Sequence, residues 1–326
     1  MDQAEKLRNL IKAQNDAENN MQDVVGNGVQ NSEQSMNRTL IQNGLNSEIT
    51  QKRARVITVT SGKGGVGKSS VSINLALQFR KQGKSVIIFD ADFGLANIEV
   101  MIGAIPKYNL ADMIFRGKTF KDIIVEGPEG IGFISGGSGI NGLGNLNKDQ
   151  IQYLVLKLKE LETLADILIV DTGAGISDAV LEFVVSSSEV LLVTTPEPTS
   201  ITDAYALLKT LNISEVFDRE YTKIKVLINR VPNYEDGKNL YNKLEVVVNR
   251  FLQIDLSYLG SIPMDGNMSK AVMQQKPIST AYPNSVATVA FEKLAVALLN
   301  NTVVEENKRR GLARAVMNMF ENRFKK

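Results

Sequence analysis

The 326-residue chain contains no cysteine, no histidine and no tryptophan. Without cysteine there is no disulfide, thiolate metal site or thiol nucleophile. Without histidine there is no imidazole ligand, Ser-His-Asp triad or Cys-His pair. A metal ion must then be held by oxygen ligands, which favours Mg²⁺. The missing tryptophan removes one marker of a membrane interface. No run of about 18 apolar residues occurs, so no segment reads as a bilayer-spanning helix. The opening residues MDQAEKLRNLIKAQ are polar and of mixed charge, unlike the apolar stretch of a secretory signal. A formal net charge of +1 supplies no global field for nucleic acid. A soluble cytoplasmic protein is the expectation.

What is present divides into three regions by composition. Residues 1–54 are polar and rich in Asn and Gln, residues 55–301 alternate β-branched runs with amphipathic stretches, and residues 302–326 are basic and amphipathic. In the middle region, short Val-, Ile- and Leu-rich runs predict strands at 55–60, 85–90, 131–135, 167–171, 189–194, 223–229 and 257–262. Most are continuous rather than alternating, as buried parallel strands are. Helical patterns lie between many of them, at 69–81, 148–163, 176–186, 200–211 and 240–251. This order predicts an α/β fold, a doubly wound and mostly parallel sheet with helices on both faces. Ligands of such sheets sit at the carboxyl ends of the strands.

The first strand runs straight into Ser61-Gly62-Lys63-Gly64-Gly65-Val66-Gly67-Lys68-Ser69-Ser70, and a helix follows. This satisfies G-x-x-x-x-G-K-[ST] between a strand and a helix, the context a P-loop needs. The glycines let successive backbone N–H groups point at phosphate oxygens, and the helix N-terminus adds its positive dipole end. In such loops the lysine, here Lys68, reaches the β- and γ-phosphates, and the hydroxyl of Ser69 ligates Mg²⁺. Two further strand ends carry carboxylates. Asp90 and Asp92 are two residues apart at the end of the second strand, so both can reach a phosphate site from there. Ile167 to Gly175 reads as a buried strand ending in Asp171 and a glycine-rich turn, a Walker B and switch II arrangement. Asp171 is then a Mg²⁺ ligand through water, while Gly173 and Gly175 permit a γ-phosphate-dependent backbone change.

Lys63 is a second lysine inside the loop, and KGGVGKSS resembles the deviant Walker A motif of the MinD/ParA family. That resemblance implies an ATPase in which Lys63 reaches across a two-fold interface to the partner's nucleotide, coupling homodimer formation to ATP. It also implies that Asp92 orients or deprotonates the attacking water, that Asp90 supports Mg²⁺ or the loop, and that Asn229 reads the adenine edge. An amide suits adenine because it offers both a donor and an acceptor. Arg230 beside it, and Pro263 and Pro196 ending neighbouring strands, are candidates for walling the base. No NKxD arrangement for guanine occurs. Cell-division MinD proteins usually carry proline in the switch II turn, whereas this chain has DTGAG, a departure that favours another branch.

The two ends of the chain carry further signals. Residues 308–326 hold seven basic residues against one acidic. Leu312, Val316, Met319, Phe320 and Phe324 line one helical face, with Arg310, Arg314, Asn318 and Lys325 on the other. Such a helix suits an anionic membrane surface, because apolar burial and charge attraction act together. Two copies on a dimer bind through effective concentration. The alternative is a terminal helix packed on the core. At the other end Ala4, Leu7, Leu10 and Ile11 recur at helical spacing within about residues 2–14, an apolar face that suggests a partner. Residues 15–50 hold too little apolar surface to offset ordering and read as a tether. Asp2-Gln3-Ala4-Glu5-Lys6-Leu7-Arg8 is similar to the D-Q-A-x-x-L-R motif of the FlhG (YlxH/FleN) family, MinD-like ATPases of flagellar number control. The resemblance covers nearly the whole chain. It implies that this motif activates FlhF, a signal-recognition-type GTPase, with Gln3 acting at the partner's GTP site. It also implies flagellar C-ring switch components as partners, peripheral membrane attachment and no DNA binding.

Other readings stay open at this stage. A division-site MinD would lack the long N-terminal extension, and a ParA-type partitioning ATPase would bind DNA through a basic dimer surface. A nucleotide-locked scaffold would bind ATP without turning it over, although Asp92 argues against that.

Overall fold

The apolar runs form one eight-stranded sheet in the order β3-β4-β2-β5-β1-β6-β7-β8. The computed structural model describes residues 53–92, 98–136, 148–300 and 311–324. Its strands are β1 (Arg55–Thr60), β2 (Val86–Ala91), β3 (Val125–Glu126), β4 (Gly132–Ile134), β5 (Ile167–Thr172), β6 (Glu189–Thr194), β7 (Lys223–Val231) and β8 (Leu256–Pro263). Up to the sheet centre the helices are α1 (Lys68–Lys81), α2 (Ile98–Ile102), α3 (Leu110–Arg116), α4 (Phe120–Ile123), α5 (Lys148–Leu161) and α6 (Asp178–Ser186). Beyond it lie α7 (Pro198–Ile213), α8 (Tyr234–Leu252), α9 (Gly266–Met273), α10 (Ile278–Ala281), α11 (Val286–Asn300) and α12 (Gly311–Phe324). All strand pairs are parallel except β3 with β4.

Residue alternation along the strands divides the core between two faces. Ile57, Val59, Ile88, Ile167, Ile169, Leu191 and Val193 pack with residues of α1 and α11. Their neighbours Ile87, Phe89, Leu168 and Val170 pack beneath Leu154 and Leu158 of α5. Val190, Leu192, Val226 and Ile228 pack with Leu207, Leu211, Leu244 and Val248 of α7 and α8. At the base of the sheet, buried Glu189 accepts two hydrogen bonds from Arg55, at 2.7 and 2.8 Å, and one from Lys225 at 2.7 Å. Burial alone would raise the Glu189 pKa, but these two cations outweigh it and lower it. One carboxylate thereby ties β1, β6 and β7 at a shared level.

Some elements depart from the sequence expectation. The edge strand β3 is two residues long, too short to show a period. The helix expected from 240 begins at Tyr234 instead, because Asn233 caps it by accepting from the Asp236 N–H at 2.9 Å. Gly237 in its first turn packs against Ser261. Helix α11 is apolar on most sides and so carries little amphipathic signal.

The C-terminal helix takes the alternative position in this structure. Helix α12 packs on α5 and α6, and Leu312, Ala313, Ala315 and Val316 join the core cluster above β2 and β5. Two of the residues expected to face lipid, Leu312 and Val316, are only 2% and 4% exposed. Burial of each is worth about 1.5–3 kcal/mol relative to exposure in water. The side chains of Met319, Phe320 and Phe324 lie outside the described residues, as do Asp2, Gln3, Ala4, Leu7 and Arg8. Among the described residues no helix is long and apolar enough to cross a membrane.

Candidate nucleotide site

Strand β1 delivers the loop from Ser61 to Gly67 at the carboxyl edge of the sheet centre, and α1 begins at Lys68. Gly67 is the N-cap of α1 with φ 97°, and no side chain caps the helix. The first N–H groups of α1 are therefore left to an incoming phosphate. Gly65 also has positive φ, at 76°. A Cβ on Gly62 would collide with the Asp203 carbonyl of α7, and one on Gly67 would lie 2.5 Å from the Asn229 amide nitrogen. Loop, α7 and β7 thus meet without slack.

Lys68 is buried beside Asp171, Asp92 and Asp90; burial lowers its pKa, while the three carboxylates oppose that shift. Asp90 is 2% exposed and Asp171 is 1% exposed. Burial, reinforced by the charge of Asp171, pushes Asp90 up to about 8. Burial also raises Asp171 to about 6, against hydrogen bonds from Ser69 and Ser72 and the Lys68 charge. Neighbouring β2 and β5 pair Asp90 directly with Asp171, so two like charges are forced together in a dry place. The Ser72 hydroxyl donates to Asp171 Oδ1 at 3.0 Å. Nothing in the strand pattern pointed to Ser72; its only signal is a polar residue one turn beyond Ser69.

Asp92 follows β2, and its backbone N–H donates to Asp90 Oδ1 at 3.1 Å. A Cβ on Gly173 would lie 3.6 Å from Asp92 Oδ1, so the carboxylate stands over the turn that follows β5. That turn leans on the P-loop. The Gly175 N–H donates to the Ser61 carbonyl at 2.9 Å, with Gly175 at φ 91°, and the Thr172 hydroxyl reaches the Val59 carbonyl at 3.2 Å. Lys68, Ser69, Asp90, Asp92, Asp171, Gly173 and Gly175 therefore lie together at the carboxyl edge of the sheet centre.

Lys63 points elsewhere. Its Nζ donates to Glu197 Oε2 and to Thr199 Oγ1, both at 2.7 Å, at the start of α7. No sequence motif marks Glu197 or Thr199 as partners of Lys63; the turn's only motif signal is Pro196. Asn229 has a second task besides the base contact expected of it. Its Nδ2 donates to the Val66 carbonyl at 2.7 Å, and its Oδ1 accepts from the Arg230 N–H at 2.9 Å. One amide N–H remains for a base. Arg230 sits at φ 58° in a bulge where β7 rejoins β8 at Val231 and Pro263.

No cluster of three acidic metal-ligating side chains exists among the described residues. One buried carboxylate beside a serine hydroxyl fits Mg²⁺ held mainly by nucleotide phosphates and water.

The family model for ParA, described as an NUBPL iron-transfer P-loop NTPase, matches residues 52–299. Among solved structures, the cell-division ATPase MinD of Pyrococcus furiosus superposes with a TM-score of 0.61 at 24% identity, covering 76% of this chain and 99% of its own. MinD of Pyrococcus horikoshii, solved with Mg-ADP, gives 0.60 at 23% identity, covering 77% and 100%. The chain belongs to the ParA/MinD family of P-loop ATPases. Among curated relatives, Antiactivator FleN of Pseudomonas aeruginosa is 44% identical over 241 residues, covering 74% of this chain and 85% of its own. Flagellum site-determining protein YlxH of Helicobacter pylori is 33% identical over 247 residues, covering 76% and 82%. Within the family the chain is an ATPase of the FlhG (FleN/YlxH) type.

Proposed function

We propose that this ATPase is a nucleotide-controlled switch in flagellar number and placement, active as an ATP-bound homodimer on the inner face of the cell membrane. The observation that carries the reading is the position of Lys63. This loop lysine donates to Glu197 and Thr199 at the start of α7, away from the carboxylates around Lys68. A cation on the outer side of a phosphate loop is available to a second subunit's nucleotide, as an arginine finger supplied in trans is.

In this reading residues 55–301 are the ATPase domain. Gly62 to Ser70 bind the phosphates, Asn229, Arg230 and Pro263 hold the base, and Gly173 and Gly175 form the switch. Ser69 and Asp171 hold Mg²⁺ with support from Asp90, and Mg²⁺ supplies charge neutralisation on the phosphates. Asp92 positions the attacking water, while Lys68 and Lys63 stabilise charge on the transferred phosphoryl group. Residues 302–326 are the membrane segment, using Leu312, Val316, Met319, Phe320 and Phe324 once α12 leaves the core. Residues 1–54 carry the activator for an FlhF-type GTPase, through Asp2, Gln3, Ala4, Leu7 and Arg8. Flagellar C-ring switch components are further partners, and DNA is not. The iron transfer named for the matching family model has no thiolate ligands to work with in this chain.

Light scattering on a size-exclusion column tests the reading. With ATP and Mg²⁺ the Asp92→Ala protein should run as a dimer, and with ADP as a monomer. Adding Lys63→Ala should abolish the dimer while ATP still binds. A monomer in every nucleotide state would refute it.

A further inference from the structure

Glu162 follows the last residue of α5 and is 4% exposed. Its side chain Oε1 accepts a hydrogen bond from the Leu312 N–H at 2.7 Å, within the buried interior. Leu312 is the second residue of α12, so this N–H is one of the orphan donors of a helix start. A carboxylate at that place both satisfies the donor and meets the positive end of the helix dipole. The backbone carbonyl of the same residue accepts the Ala54 N–H at 2.6 Å, just before β1.

The apolar contacts of α12 do not by themselves favour the docked position. Leu312, Ala313, Ala315 and Val316 are buried against α5 and α6, but a hydrocarbon interior would remove the same surface from water. The Glu162 bond is different in kind. It is directional, charge-assisted and available only when α12 lies on the core. Two states of similar apolar burial are separated by such a term.

We propose that Glu162 is a latch that selects the docked position of α12 over a lipid-bound one. The proposal rests on the reading of α12 as a membrane helix and adds the residue that regulates its release. Losing a helix cap of this kind shifts the balance toward the undocked helix by about tenfold. The Ala54 bond uses the backbone of Glu162, so a side-chain substitution leaves that anchor of β1 in place while it removes the hold on α12.

The test uses the full chain with ADP and vesicles containing phosphatidylglycerol, comparing wild type, Glu162→Ala, Glu162→Gln and a chain lacking 311–326. Without vesicles, amides of 312–318 should exchange about tenfold faster in Glu162→Ala. Glu162→Gln keeps an oxygen acceptor without the charge, so its exchange should fall between the two. With vesicles, the bound fraction at limiting lipid should rise in the same order, while exchange within β1 stays at its wild-type rate. If Glu162→Ala fails to fold, Glu162→Gln carries the same comparison. Unchanged exchange at 312–318, with vesicle binding still abolished by the deletion, overturns the latch alone. Vesicle binding that survives the deletion overturns the lipid reading of α12, and the latch with it.

Discussion

Replacing Asp90 by asparagine should stabilise the nucleotide-free protein at neutral pH and remove much of its pH dependence. Asp90 ionises near 3.8 when solvated, and burial beside Asp171 raises it to about 8 in the fold. The folded chain therefore holds a proton that the unfolded chain releases, so stability falls as pH rises between those values. Each pH unit in that window costs about 1.36 kcal/mol per proton. From pH 5 to pH 7 the loss assigned to Asp90 is on the order of 2–3 kcal/mol. Asp171, raised to about 6, adds a loss at the acidic end of the window. Asparagine is nearly isosteric, and its oxygen can still accept the Asp92 N–H that Asp90 Oδ1 holds at 3.1 Å. It cannot ionise. The assay is urea unfolding of both proteins, without nucleotide, at half-unit steps from pH 5 to pH 8. The difference in stability, variant minus wild type, should grow steadily with pH. Parallel curves would refute the assignment of a buried protonated carboxyl at this position. ADP with Mg²⁺ should flatten the wild-type curve, because a bound cation favours the ionised carboxylates.

Gly62→Ala drives a methyl group into the Asp203 carbonyl, so it should cost about 1–3 kcal/mol of stability and abolish binding of a fluorescent ATP analogue. Leu312→Ala removes a buried anchor of α12 and should cost about 2–5 kcal/mol by calorimetry; a cost near zero would mean that α12 does not dock in solution. Asn229→Ala deletes the brace to the Val66 carbonyl. It should weaken binding of ADP and inorganic pyrophosphate alike, whereas a loss confined to ADP would assign Asn229 to the base alone. Glu197→Gln removes the ion pair of Lys63 and should leave monomer ATP affinity unchanged by titration calorimetry while altering the ATP-dependent dimerisation constant.

Features that were legible in the sequence are those whose chemistry is local. The P-loop needs contiguous residues, so Gly62 to Ser70 announced themselves. Strand ends bearing Asp90 and Asp171 follow from continuous apolar runs, and the pairing of β2 with β5 brings those ends together. The illegible parts depend on contacts distant in sequence. Ser72 matters because Asp171, 99 positions away, needs a donor. Glu197 matters because Lys63, 134 positions away, finds it. The sequence favours lipid for the apolar face of α12, although a bilayer and a protein core accept Leu312 and Val316 in the same way; the structure instead packs that face on α5 and α6. The apolar pattern starts six residues after α8 does, because the first turn is polar and held by Asn233 rather than by apolar contact.

The close fit of Gly62 to α7 has a mechanical consequence. With no room for a methyl group between loop and helix, the loop has no free play against α7. From Asp203 to Ile213 the helix extends roughly 15 Å, so a tilt of about 5° at the loop displaces its far tip by about 1 Å. Ile213 at that tip is 73% exposed. A tilt of the loop that carried α7 with it would therefore show most at Ile213.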